Sequence, residues 1–341
     1  MSTRRVRLHQ AVGVALIVEV MLVSGCSGDS SKAAPTTKAL TKTSTTSTSA
    51  PAAPTVHMFD AGDTTFYDVP DPIPTGHHGD LIRFQPIAGA PDGVTWQRIM
   101  YLSETVSGEP TVDTGVLTLP TADAPTGGWP LFAHAHGSTG LADDCAPSVS
   151  LSADATFAPE IALLSAWAPT YAIAIVSADY EGLGGPGRHP FLVGVSEGRS
   201  VLDSILAARQ VPNVQFQDRV GIIGYSQGGH AAAWANQIAS TWTPDLDIVG
   251  VLAGAPATEV ASLVKRQGQP AAVQLAGALA AADHSLDLNS VLTDAGADFL
   301  AQLDRSCKMP AQPADGPLTK LDITTTKPWS TALADNEPGR E

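Results

Sequence analysis

The sequence predicts an α/β fold: a mostly parallel, doubly wound sheet with an inserted helical cap. Four near-continuous apolar runs, "WPLFAHAHG" (129–137), "YAIAIVSADY" (171–180), "RVGIIGYS" (219–226) and "IVGVLAGAP" (248–256), have the pattern of strands buried on both faces. Segments of helical period alternate with them, which implies right-handed crossovers. Beyond Pro256 strand-like runs stop and helix-rich sequence continues to Cys307. That suits a cap over the sheet's C-terminal edge, where ligands bind in such folds.

The elements follow in chain order. Arg4, Arg5 and Arg7 precede an apolar run from Ala11 to Val23, and small residues lead to Cys26, so residues 1–25 are expected to be an export signal. Val23-Ser24-Gly25-Cys26 resembles a bacterial lipobox, which would make Cys26 a lipidated N-terminus; a plain signal peptide with an incidental cysteine is the alternative. Residues 26–55 are Ser, Thr, Ala and Pro with no apolar period and read as a tether. Residues 56–257 form the expected core, opened by a strand pair at 96–106 and 111–120 joined at Gly108-Glu109-Pro110. A helix is predicted over Ser196–Arg209, with Ser196 as N-cap and Val201, Ile205 and Leu206 on its buried side. Residues 258–325 are the expected lid, and 326–341 a truncated lead-in to the rest of the core.

Composition narrows the partners. A formal charge of −15 argues against nucleic acid and anionic membrane surfaces. Membrane attachment is expected only through lipid on Cys26, placing the protein outside the cell on the membrane's outer face. With Cys26 lipidated, Cys145 and Cys307 remain for an oxidising compartment, and they read as a disulfide or as two buried thiols. Neither cofactor nor metal is expected, and the chain is expected to be a monomer.

The chemistry is concentrated in "RVGIIGYSQGGH". A buried strand runs into Gly224-Tyr225-Ser226-Gln227-Gly228 and then into a helix, the elbow that presents a nucleophilic serine in α/β-hydrolases. Gly224 and Gly228 leave room for the turn. A serine hydroxyl needs donors for the oxyanion, and the geometry of such elbows points to the backbone N–H of Gln227 and an amide of "HAHGSTG", here Ser138. His136 is expected to order that loop rather than act as base, and His230 to pack locally. Asp179 and Glu181 precede the nucleophile, contrary to the usual order of the triad, and Glu259 and His284 are weak downstream candidates.

These motifs together resemble the secretory lipases, of the fungal lipase A type and their actinobacterial relatives. The resemblance runs from about residue 60 to the end, on His136-Gly137, "ADYEGLGGPGRHPFLVGVSEGRSVLD" (178–203), "GYSQGGH" and "AGAPA". It implies an esterase or lipase acting on acyl esters or lipids through Ser226, a helical lid and a Cys145–Cys307 disulfide. In that family the acid follows the seventh strand and the histidine the eighth, and "LADN" with "PG" leads into the seventh. The chain stops there, so a truncated reading frame lacking the last two strands is expected, with activity in doubt. A catalytically inactive surface lipoprotein scaffold is the alternative, and a peptidase or acyltransferase on the same fold is also open.

Overall fold

The computed structural model describes residues 52–151, 159–312 and 316–340. The expected signal peptide, Cys26 and nearly all of the tether lie outside them. Among the described residues the strands are β1 (His57–Met58), β2 (Leu81–Ile87), β3 (Val94–Glu104), β4 (Pro110–Pro120), β5 (Trp129–Ala135), β6 (Ala174–Ala178), β7 (Phe216–Tyr225) and β8 (Asp247–Gly254). The helices are α1 (Pro147–Ser150), α2 (Pro159–Tyr171), α3 (Gly194–Ala208), α4 (Gln227–Trp242), α5 (Val260–Gln267), α6 (Gln269–Ala282), α7 (Asp294–Leu303) and α8 (Trp329–Asp335). No helix among them is long and apolar enough to cross a membrane.

One sheet holds the strands in the order β1-β2-β3-β4-β6-β5-β7-β8. β2, β3, β4 and β6 pair antiparallel in succession, and β6, β5, β7 and β8 run parallel. Alternate residues go to opposite faces. Ala174, Val176 and Ala178 of β6 join Val201, Leu202 and Ile205 of α3 and Ala231 and Ala235 of α4, whereas Ile175 meets Leu164 and Ala168 of α2. The apolar runs are therefore continuous because helices cover both faces. β8 lies at the edge, and Val249 is 49% exposed.

Three expectations need correction. β2 was not anticipated, because Arg83 and Gln85 interrupt its apolar pattern. Both are buried and bond to backbone carbonyls: Arg83 Nη1 donates to those of Phe66 and Asp68, and Gln85 Nε2 to those of Asp60 and Asp63. Tyr171 belongs to α2 rather than to β6, which starts at Ala174. Ser196 is not an N-cap; α3 begins at Gly194, and the Ser196 hydroxyl donates to Glu181 Oε2. The cap comes from afar, since Asn336 Oδ1 accepts from Gly194 N–H at 2.8 Å and Glu197 Oε1 from Leu192 N–H at 2.9 Å.

Helices α5, α6 and α7 share a second apolar cluster with Leu141, Phe191, Val193 and Trp329. Arg188 forks onto Asp304, with Nε to Oδ1 at 2.8 Å and Nη2 to Oδ2 at 2.7 Å. Cys145 and Cys307 form a disulfide with their Cα atoms 5.3 Å apart.

Candidate active site

The turn after β7 reverses the chain at Ser226, with φ 58° and ψ −118°. Few non-glycine residues adopt such a conformation, and it costs about 1–3 kcal/mol. Surrounding bonds hold it: Ser226 N–H donates to Gly254 O at 2.9 Å, and Ser226 O accepts from His230 N–H at 3.1 Å. A Cβ on Gly224 would stand 2.0 Å from Gly228 O, and one on Gly228 1.8 Å from Ala135 O. Only glycine lets strand, turn and helix approach this closely. Gln227 opens α4, so its N–H has no acceptor within the helix and lies at the positive end of the helix dipole.

Ser226 lines a cavity of about 400 Å³ together with His136, Gly137, Ser138, Glu160 and Cys307. The Ser138 N–H meets no backbone or side-chain acceptor among the described residues. Gly140, at φ +135°, lets the same loop pass the disulfide; a Cβ there would be 2.5 Å from Cys145 Sγ. His136 shares this cavity but is turned away from proton abstraction. Its Nδ1 is 2.6 Å from Gly137 O and its Nε2 3.2 Å from Asp179 O, so backbone carbonyls face both nitrogens.

The other candidates are engaged elsewhere. Asp179 Oδ1 accepts from Ser148 N–H at 3.0 Å, and Oδ2 from the hydroxyls of Thr114 and Ser148. Tyr180 next to it donates its hydroxyl to His136 O at 2.9 Å. The "DYEGLG" stretch thus braces the loop beneath the cavity. Glu259 and His284 are exposed, and neither is among the cavity's lining residues.

Two further arrangements escaped sequence reasoning. Behind the elbow, Gln227 Nε2 donates to His189 Nε2 and Glu197 Oε1, each at 2.8 Å. Glu197 Oε2 is 2.6 Å from His230 Nδ1, and His230 Nε2 is 2.8 Å from Asn336 O. All four side chains are buried, and burial pushes His189 down to about 4. His189 is therefore neutral, donating through Nδ1 to Glu181 O at 2.8 Å. At the front, His134 Nε2–H donates to Glu160 Oε2 at 2.9 Å, Gly137 N–H donates to the same oxygen at 3.1 Å, and His134 Nδ1 accepts from Ser177. Burial would raise the Glu160 carboxyl, but the hydrogen bond and charge of His134, followed by Gly137 N–H, outweigh it and leave it lowered. Burial likewise lowers His134 against the opposing pull of Glu160. No spacing rule pairs residue 134 with 160, or 197 with 230; the only sequence cue was the pair of histidines in "HAHG".

A serine at a strained strand–helix turn, on the C-terminal edge of this partly antiparallel, mostly helix-covered sheet, is the arrangement of the α/β-hydrolase fold. Candida antarctica lipase A has a similar fold, with a TM-score of 0.69 and 21% identity over 81% of this chain and 68% of its own. The model of the secretory lipase family matches residues 150–312. Among curated relatives, Lipase A of Moesziomyces aphidis is 28% identical over 202 residues, 56% of this chain and 42% of its own length. A Mycobacterium tuberculosis protein named as a probable inactive lipase is 28% identical over 217 residues, 60% of this chain and 47% of its own. The chain is thus similar to secretory lipases over its central part, and its matches span about half the length of these curated relatives.

Proposed function

We propose that the chain is a carboxylic ester hydrolase, lipase-like in descent, with Ser226 as its nucleophile. The observation that carries this reading is the strained Ser226 turn opening on a cavity beside two unused backbone N–H groups. In this reading Ser226 Oγ bonds to the ester carbonyl carbon as its proton leaves to a base. The carbonyl electron pair moves onto oxygen, where the N–H groups of Gln227 and Ser138 stabilise it. Collapse expels the alcohol and leaves an acyl-serine, which water then hydrolyses to the free acid.

Export and lipid attachment through Cys26 belong to the same proposal, supported by the leader sequence and by the similarity to secretory lipases. A fluorophosphonate probe tests the nucleophile. Stoichiometric labelling of the wild type that disappears in Ser226→Ala supports it, and absence of labelling in folded protein sinks it.

A second reading has its own observation. No hydrogen bond joins Ser226 Oγ to a histidine among the described residues, and His136 and His230 face other acceptors with both nitrogens. An inactive, ester-binding surface scaffold fits that arrangement, and the name of the mycobacterial relative points the same way. Folded protein that binds esters without turnover or labelling would favour it.

A further inference from the structure

We propose that Glu160 makes the Ser226 cavity select esters that carry a hydrogen-bond donor, above all an ammonium group, and reject esters that carry a carboxylate. The inference rests on the reading of this cavity as an ester site, and it adds the chemical class of ester.

Glu160 opens α2, and its carboxylate is 35% exposed on the cavity wall. Its two oxygens differ in their surroundings. Oε2 accepts from both His134 Nε2–H and Gly137 N–H. Oε1 makes no hydrogen bond among the described residues and lies 2.9 Å from where a Cβ on Gly137 would be; the same point is 3.4 Å from Tyr225 O. The free oxygen is thus beside the elbow, on the side where Gly137 leaves space. His134, whose Nδ1 faces the Ser177 hydroxyl, donates to Glu160 through Nε2, and that fixes the carboxylate as an acceptor. Glu160 also occupies the Gly137 N–H, whereas the Ser138 N–H meets no acceptor among the described residues.

An ionised acceptor at this position attracts an O–H or N–H donor and repels a second anion. No lysine or arginine is among the cavity's lining residues to offset it. The same repulsion acts on the fatty-acid or other carboxylate product of hydrolysis and favours its departure.

Equilibrium binding to Ser226→Ala reads this without needing turnover. The ligands are three methyl esters of matched length: of 4-aminobutyrate, of pentanoate, and the monoester of succinate. The expected order is ammonium about tenfold tighter than neutral, and carboxylate about tenfold weaker. In Glu160→Gln combined with Ser226→Ala the ammonium preference should vanish. That amide keeps an acceptor for His134 and Gly137 but turns an NH₂ toward the cavity. Equal affinities for the three esters, no measurable binding of the ammonium ester, or an unchanged order in the double variant would each overturn the proposal. Fluorophosphonate labelling of the wild type reports separately on Ser226, so a dead nucleophile and an unselective cavity give different results.

Discussion

At the scale of single residues, the elbow depends on what stands behind it as much as on Ser226. Gln227, next to Ser226, has its side chain held by His189 and Glu197, and His189 accepts from it only while neutral. Protonation would turn His189 Nε2 into a donor facing another donor. Its folded value of about 4 lies below the ordinary 6.5, so its contribution to stability is complete above pH 6.5 and is lost as pH falls toward 4. Between pH 7.5 and 4.5 the wild type should lose on the order of 2 kcal/mol more than His189→Gln, measured by urea denaturation at each pH. Gln keeps both an acceptor and a donor. Asp113, Asp179 and Asp203 are raised by burial and work in the opposite sense, but they are common to both proteins and cancel. Ser226, Gly224 and Gly228 were legible in sequence because the elbow is local, built from consecutive residues. Glu160 was not, because its role arises only when α2 docks against the loop after β5.

At the scale of elements, pattern reading worked where burial was apolar and failed where it was polar. β5, β7 and β8 announce themselves as apolar runs. β2 does not, since a buried guanidinium and amide serve the backbone of residues 60–68 from inside the sheet. The start of α3 was misplaced for a related reason: its cap is Asn336, more than a hundred residues away, and no local signal can show that. Asn336 also lends its backbone oxygen to His230 and Trp234, at 2.8 and 3.3 Å, so one residue after α8 ties together the N-terminus of α3 and the flank of α4. Asn336→Ala is expected to lower stability by about 1–2 kcal/mol, the usual cost of a lost N-cap acceptor. Asn336→Asp, which keeps the acceptor, should restore most of it; thermal melts of the three proteins compare them directly.

At the scale of the whole molecule, the exposed edge is the weak point. β8 pairs only with β7 among the described residues, its sequence DIVGVLAG carries no lysine or proline, and Val249 points half into solvent. Such an edge recruits other strands. Val249→Lys should reduce light scattering on concentration, by several-fold at milligram-per-millilitre levels, without shifting the melting temperature by more than about a degree. The formal charge of −15 works in the same direction by keeping molecules apart, and raising the salt should weaken that protection.

The disulfide has a consequence in time as well as in space. Cys307 forms part of the wall of the Ser226 cavity, and Gly140 is pressed against the sulfur of Cys145 in the loop that carries Ser138. Residue 307 is made 162 residues after its partner, and thiols join only where the surroundings are oxidising. In reducing surroundings the chain would fold with that wall unclosed, so the Ser226 cavity takes its final form only after the thiols have met an oxidant.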